Sequence, residues 1–221
     1  MAEAGAGGGG SGRIEAIVSD FGGVLTTPLM GSFLALQNEH GVSVEDFGAA
    51  MKAAAEAGDG EIPLFKLERG DITEAEFLEV LRDGLEPRLG HRPHLHRFRE
   101  IFFAALDPNE PMIELMRELK VSGLRMAMLT NNVQEWEPLW RTMLPVDDIF
   151  ETVVDSGYVG YRKPERQIYE ITLERLGLPA KACLFVDDME LNCDAARELG
   201  FTAVQYRDAD QAIADVRTAL A

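Results

Sequence analysis

Four places in the chain set chemistry-bearing residues beside apolar runs or turns. Asp20 closes the run Ile14-Glu15-Ala16-Ile17-Val18-Ser19 and is followed by Phe21-Gly22-Gly23-Val24-Leu25. Thr130-Asn131-Asn132 follows Leu129, Lys163 stands in Tyr161-Arg162-Lys163-Pro164, and Asp187-Asp188 follows Phe185-Val186. Brought together, Asp20 and Asp188 repel one another unless a divalent cation lies between them, and ligation by oxygen alone suits Mg²⁺. A carboxylate held against such a cation can attack an electrophilic phosphorus and form an aspartyl-phosphate. Thr130, Asn131 and Lys163 would then hold the phosphoryl oxygens and offset their charge. Gly22 and Gly23 allow backbone groups to approach a phosphate closely.

Such residues work together only if the chain brings them to one edge, and the runs before them are suited to that. Apolar runs at 14–19, 126–129, 152–154, 183–186 and 203–205 are short and mostly uncharged, which fits strands buried on both faces of a parallel sheet. Helical patterns separate them. Met112, Leu115, Met116 and Leu119 form one stripe, Leu191, Ala195 and Leu199 a second, and Ala209, Ile213, Val216 and Leu220 a third. Asp107-Pro108 with Glu110, and Asp208 with Gln211, mark helix starts. Pro164 fits the first turn of another helix. The alternation predicts an α/β fold with right-handed crossovers. Open parallel sheets bind ligands beyond the carboxyl ends of their strands, so Asp20, Thr130 and Asp188 are expected to converge there.

One stretch breaks the alternation. Between about 25 and 105 the pattern is helical only, with segments near 30–40, 43–57, 73–84 and 93–105. Ser43 with Asp46 and Thr73 with Glu76 have capping-box spacing, and Val44, Phe47, Met51 and Ala54 make an apolar stripe. The expected organisation is a Gly-rich flexible tail over 1–12, an α/β core from 13–25 and 105–221, and a helical domain over 26–104 above the carboxyl edge of the sheet.

A chain of 221 residues, 46% hydrophobic and 27% charged, can bury an adequate core without cross-links. Its 21 basic and 38 acidic residues leave a net charge of −17, which repels phosphate backbones and anionic lipid surfaces and argues against nucleic-acid or membrane partners. No apolar stretch approaches the roughly 20 residues of a membrane span. The N-terminus has neither the basic nor the apolar region of a secretory signal. Cys183 and Cys193, the two cysteines, fit buried reduced thiols. A cytoplasmic protein, monomer or homodimer, is the expectation.

The set Asp20-Phe21-Gly22-Gly23-Val24-Leu25, Leu129-Thr130-Asn131-Asn132, Arg162-Lys163-Pro164 and Val186-Asp187-Asp188 resembles the four ordered motifs of the haloacid dehalogenase superfamily. The resemblance covers essentially the whole chain after residue 12. The helical insert resembles the C1 cap of the family's subclass I. The nearest branches in character are the N-terminal phosphatase domain of soluble epoxide hydrolase and the α-glucose-1-phosphate phosphatase group. This implies a five-stranded Rossmann-like sheet and hydrolysis of a small phosphorylated metabolite, a sugar phosphate by resemblance, with Mg²⁺ as cofactor. Asp20 takes the nucleophile position, Thr130 and Lys163 the phosphate-binding positions, and Asp188 with the Gly22 backbone carbonyl the metal-binding ones. Asp187 would act on the metal through water or through its neighbours. Two positions depart from the pattern. Gly22 stands where most family phosphatases carry the Asp that serves as general acid and base, and Asn192 stands where many have a second acidic residue.

Taken singly, Asp20 reads as a turn former, Lys163 as a solvated lysine and Asp187 as a helix cap; their order together carries the functional reading. Trp136 and Trp140, four apart, read first as packing residues and second as a substrate wall, and His40, His91, His94 and His96 lack metal-site spacing. Gly22 keeps three alternatives open. A haloacid dehalogenase needs no general acid and no metal, but the paired Asp187-Asp188 argues for a cation. A phosphonate hydrolase would need a Schiff-base lysine, with Lys52 and Lys66 available. The last alternative is a non-catalytic binding protein on the same scaffold. A signalling receiver domain shares the residue types but has its acidic pair first and lacks an 80-residue insert.

Overall fold

The computed structural model describes residues 13–221; the stretch expected as a tail, 1–12, lies outside the described residues. The five apolar runs form β1 (Ala16–Ser19), β2 (Arg125–Thr130), β3 (Thr152–Asp155), β4 (Cys183–Asp187) and β5 (Thr202–Gln205). They make one parallel sheet in the order β3-β2-β1-β4-β5. Every residue of the neighbouring strands β1 and β4 is buried, which explains why their sequences show no polar alternation.

Between β1 and β2 come six helices: α1 (Met30–His40), α2 (Val44–Ala57), α3 (Pro63–Glu68), α4 (Glu74–Leu89), α5 (Phe98–Ala104) and α6 (Glu110–Val121). Three single-turn helices flank β3, α7 (Glu137–Trp140), α8 (Val146–Ile149) and α9 (Ser156–Val159), and α10 (Arg166–Leu176), α11 (Glu190–Leu199) and α12 (Ala209–Leu220) complete the chain. Alternate side chains of the strands enter two cores. Ile17, Met128 and Val186 pack with Met112, Met116 and Val216 on one face, and that cluster runs on into the helical insert through Phe98, Leu81 and Met51. Val18, Leu129 and Phe185 pack on Ile168, Tyr169 and Ala196 on the other.

The insert starts and ends at one place. Thr27 donates its backbone N–H to Asp107 at 2.8 Å, Asn109 donates to the Leu25 carbonyl at 2.9 Å, and the Asp107 N–H bonds Thr27 Oγ1 at 3.1 Å. Capping at Ser43, Thr73 and Asp208 follows the sequence reading, with the Thr73–Glu76 box reciprocal. Within the insert, α2 and α4 cross so closely that a Cβ on Gly84 would lie 3.0 Å from the Ala50 carbonyl oxygen.

Several expectations need correction. The six-residue helix α3 falls in a stretch with no helical reading, because one and a half turns carry too little periodicity to detect. α5 starts at Phe98 rather than near 93, and α4 runs on to Leu89. The residue before α6 is Asn109, not Asp107, and its amide bonds the Val24 carbonyl and the Tyr206 hydroxyl instead of capping the helix. α11 does not bury the stripe that starts at Leu191, which is exposed. It buries Asn192, Cys193 and Ala196, because a buried carboxylate in β4 needs the amide of Asn192. Both cysteines are buried and free, with burial pushing the Cys183 thiol up to about 11 and the Cys193 thiol up to about 12. Among the described residues, no helix is long and apolar enough to cross a membrane.

Candidate active site

Register sets the site. Ser19 is level with Met128 in β2 and with Val186 in β4, so Asp20 leaves the sheet level with Leu129 and Asp187, at its carboxyl edge. Asp20 Oδ1 accepts the Phe21 N–H at 2.7 Å and faces Lys163 Nζ at 2.7 Å. Its Oδ2 has no protein partner among the described residues, so one oxygen is clamped and the other is free to react.

Lys163 is buried and also reaches Asp187 Oδ2 at 2.6 Å. Asp187 Oδ1 accepts the Met189 N–H and the Asn192 amide, both at 2.9 Å. Both oxygens of Asp187 are therefore held within the protein. Asn192 is fixed in turn by the Tyr169 hydroxyl, which donates to its carbonyl at 2.9 Å. Asp188 is half-buried beside Gly23, whose φ of +80° and missing Cβ are both needed, since a Cβ there would lie 2.7 Å from Asp188 Oδ2.

Carboxylate oxygens of Asp20, Asp187 and Asp188 lie within 4.8 Å of one another. Three carboxylates around the ammonium of Lys163 leave the cluster two positive charges short. Burial pushes Asp20 up to about 8, with Asp187 and Asp188 adding to the push and Lys163 opposing it. Asp188 is raised by burial and by Asp187. Burial pulls Lys163 down, but Asp187 and Asp20 outweigh it and hold the ammonium charged. An all-oxygen cluster with excess negative charge fits a hard divalent cation.

Thr130 is buried at the end of β2. Asn131, expected to hold phosphate, has its amide occupied elsewhere: Nδ2 donates to the Lys163 carbonyl at 3.0 Å and Oδ1 accepts the Lys163 N–H at 2.7 Å. Its side chain positions the lysine, and what it still offers a phosphate is its backbone N–H. The Gly22 carbonyl accepts no hydrogen bond among the described residues. A Cβ on Gly22 would meet Leu29 Cδ2 at 3.2 Å, so an aliphatic side chain adjoins the position where related phosphatases carry an acid.

A cavity of about 210 Å³ opens from Gly22, Thr130 and Asn131 into the helical insert. Eight of its 17 lining residues are aromatic and four more are aliphatic, which offers few partners to the hydroxyl groups of a sugar. Trp136 lines it, whereas Trp140 is fully buried and packs on Phe21 at 5.5 Å. The two tryptophans do not share one helix, because Gln134–Trp136 is a 3₁₀ turn that precedes α7.

Two contributors, and one buried carboxylate apart from the cavity, were not singled out in the sequence. Glu68 at the end of α3 lines the cavity and binds Arg162 at 2.6 Å, while burial raises its carboxyl. Arg162 stacks on Phe65 at 3.9 Å, which ties α3 to the Lys163 loop. Asp155 sits level with Thr130, pushed up to about 7 by burial, with Oδ1 bonded to the Gly157 N–H and Oδ2 without a partner. Only the motif residue beside Lys163 gave any signal, and nothing marked Glu68.

Comparison with known proteins gives a consistent picture. A family profile described as haloacid dehalogenase-like hydrolase matches residues 14–200. Bifunctional epoxide hydrolase 2 of Rattus norvegicus is 26% identical over 208 residues, 89% of this chain but 37% of that protein. The sesquiterpene phosphatase astK of Aspergillus oryzae is 28% identical over 196 residues, 88% of this chain and 90% of that protein. The chain thus spans well under half the length of the epoxide hydrolases it matches. A solved haloacid dehalogenase family enzyme of Bacteroides thetaiotaomicron, complexed with magnesium and inorganic phosphate, shares the fold at a TM-score of 0.65 and 24% identity, over 88% of this chain and 94% of that one.

Proposed function

Because the chain belongs to the haloacid dehalogenase-like hydrolases, we propose that it is a Mg²⁺-dependent phosphatase that cleaves a small phosphate monoester through an aspartyl-phosphate on Asp20. The observation that carries this is the asymmetry of Asp20, with Oδ1 clamped by Lys163 and the Phe21 N–H and Oδ2 without a protein partner among the described residues, next in sequence to Phe21 and Gly22, which line the cavity. Phosphatase relatives and a structural neighbour that holds magnesium and phosphate support the same reading.

In this reading Thr130, Lys163 and the backbone N–H of Asn131 hold the phosphoryl oxygens. Asp20 Oδ2 attacks phosphorus, a P–O bond forms, and the bond to the substrate's alcohol oxygen breaks, its electron pair leaving with that oxygen, which takes a proton from solvent. Water then attacks the phosphorus of the aspartyl-phosphate, giving up a proton to solvent, releasing inorganic phosphate and restoring the carboxylate. When bound by Asp20, Asp188 and the Gly22 carbonyl, Mg²⁺ supplies the missing positive charge and polarises the phosphoryl group. Asp187 and Asn192 keep Lys163 and the Asp188 turn in place. The helices of 26–104 act as a cap on the core of 13–25 and 105–221, and the cap excludes water from the site.

The test is release of p-nitrophenol from p-nitrophenyl phosphate. Activity is expected with Mg²⁺, lost with EDTA, and reduced by about 10⁶-fold in Asp20→Asn, the scale seen when a nucleophile is removed. Full activity in EDTA would refute the cation. Folded protein that is silent with phosphate esters but releases chloride from 2-chloropropionate would replace the phosphatase reading with dehalogenation.

A further inference from the structure

The cavity above the nucleophile has two unlike ends. At the sheet it meets Thr130, Asn131 and Gly22; in the insert it is walled by Phe33, Phe47, Phe98, Phe102 and Trp136. These rings contact one another, Phe33 edge-on to Phe47 at 5.5 Å and to Phe102 at 5.7 Å, Phe102 tilted to Trp136 at 5.3 Å, and Phe47 stacked on Phe98 at 6.4 Å. The one polar atom of Trp136 is already used, since its indole N–H donates to Glu74 at 3.0 Å. The one charged lining residue, Glu68, is paired with Arg162. Apart from Thr130 and Asn132 at the sheet end, a sugar in this space would give up the water around its hydroxyls without regaining hydrogen bonds. An apolar group would lose nothing of the kind.

The rim has the same character at Leu29, which lines the cavity, borders Gly22 and is exposed; Met30 and Leu34, next along α1, are exposed too on a chain with a strongly acidic composition. Size gives a bound as well: a dry cavity of about 150 Å³ takes up benzene, so one of about 210 Å³ suits a group somewhat larger than a single ring.

Resting on the phosphatase reading above, we propose that the substrate is the phosphate monoester of an apolar alcohol, an alkyl, prenyl or substituted aryl group that fills the aromatic cavity while its phosphate lies at Asp20. The apolar half supplies binding and the polar half supplies chemistry. The sugar phosphate implied by resemblance gives way to a hydrophobic ester.

The experiment uses the whole chain with Mg²⁺ and measures phosphate release from ethyl, butyl, hexyl, octyl and dodecyl phosphate, with glucose 1-phosphate, glucose 6-phosphate and p-nitrophenyl phosphate alongside. The expected kcat/KM rises about fourfold per added methylene until the cavity is full and then levels off, with both sugar phosphates near or below ethyl phosphate. Phe33→Ala should move the levelling point to longer chains and Phe33→Trp to shorter ones, in variants whose circular dichroism and melting show a folded protein. A flat series, sugar phosphates faster than octyl phosphate, or a levelling point that ignores both variants would overturn the apolar substrate. If p-nitrophenyl phosphate still needs Mg²⁺ and Asp20, the phosphatase reading survives that result. Silence with every ester removes both.

Discussion

The sheet end and the insert end of the cleft are held by different physics. At the sheet end, charged and polar groups hold one another: Lys163 bridges Asp20 and Asp187, Asn192 and Met189 hold Asp187, and Asn131 holds the Lys163 backbone. At the insert end, rings from α1, α2 and α5 and from the turn after β2 pack on one another with no shared polar contact. The first arrangement fixes a few atoms through strand register and directed bonds. The second fixes a volume. Substitutions should therefore separate the two, changing chemistry and charge balance at one end and selectivity or helix packing at the other.

The largest expected effect outside the nucleophile comes from Lys163→Met. It leaves two buried carboxylates without their cation and should cost about 3–5 kcal/mol, a fall in melting temperature of roughly 10 °C for a chain of this length, along with most of the activity. A melting temperature within a degree or two of the parent would show that the ammonium is not what holds the cluster. Gly22→Asp sharpens the comparison from the other side, because it puts an acid where Leu29 now adjoins the leaving group. The clash is with the end of a flexible, exposed side chain, so the fold should hold. Turnover of alkyl phosphates should rise relative to p-nitrophenyl phosphate by about 10²-fold, the low end for a positioned proton donor. An unchanged ratio would mean that protonation does not limit the reaction.

Gly84→Ala addresses the insert alone. Its Cβ would press on the Ala50 carbonyl across the α2–α4 crossing, at an expected cost of about 1–3 kcal/mol. The melting curve should shift while p-nitrophenyl phosphate turnover below the transition stays within twofold; equal losses in both would mean the two ends are not separable. The smallest effect concerns Asp155. Its folded pKa of about 7 stands above the ordinary 3.8, so the folded chain binds that proton more tightly than the unfolded one. Its contribution to stability is then greatest below about pH 4 and is lost as pH rises towards 7. Asp155→Asn should raise the melting temperature more at about pH 7.5 than at about pH 4.5. Parallel pH curves for the two proteins would refute this.

What could be read in advance follows the same division. The placement of Asp20, Thr130, Lys163 and Asp187-Asp188 at one sheet edge is legible because each follows a local signal, and strand register does the rest. The aromatic cavity was not legible. Phe33, Phe47, Phe98, Phe102 and Trp136 span about a hundred residues, and each looks like an ordinary core residue until the helices cross. The face of α11 was misread because hydrophobicity favours Leu191, whereas the fold puts Asn192 inward to satisfy Asp187. That the Asn131 side chain is tied to Lys163 is not legible, because its partner, the Lys163 backbone, lies 32 residues on and carries no side-chain signal.

The two buried thiols allow the halves to be timed separately. Cys183 lies in β4 and Cys193 in α11, both wholly buried, and the segment 26–104 contains no cysteine. A thiol reagent added to the folded protein is therefore a clock for one event, the opening of the sheet layer. The helices above it can swing or fray without starting that clock. Trp136 reports on those helices through its contacts with Phe98 and Phe102. In a Trp140→Phe variant, labelling rate and tryptophan emission, followed in one sample, would record the two halves on separate time axes.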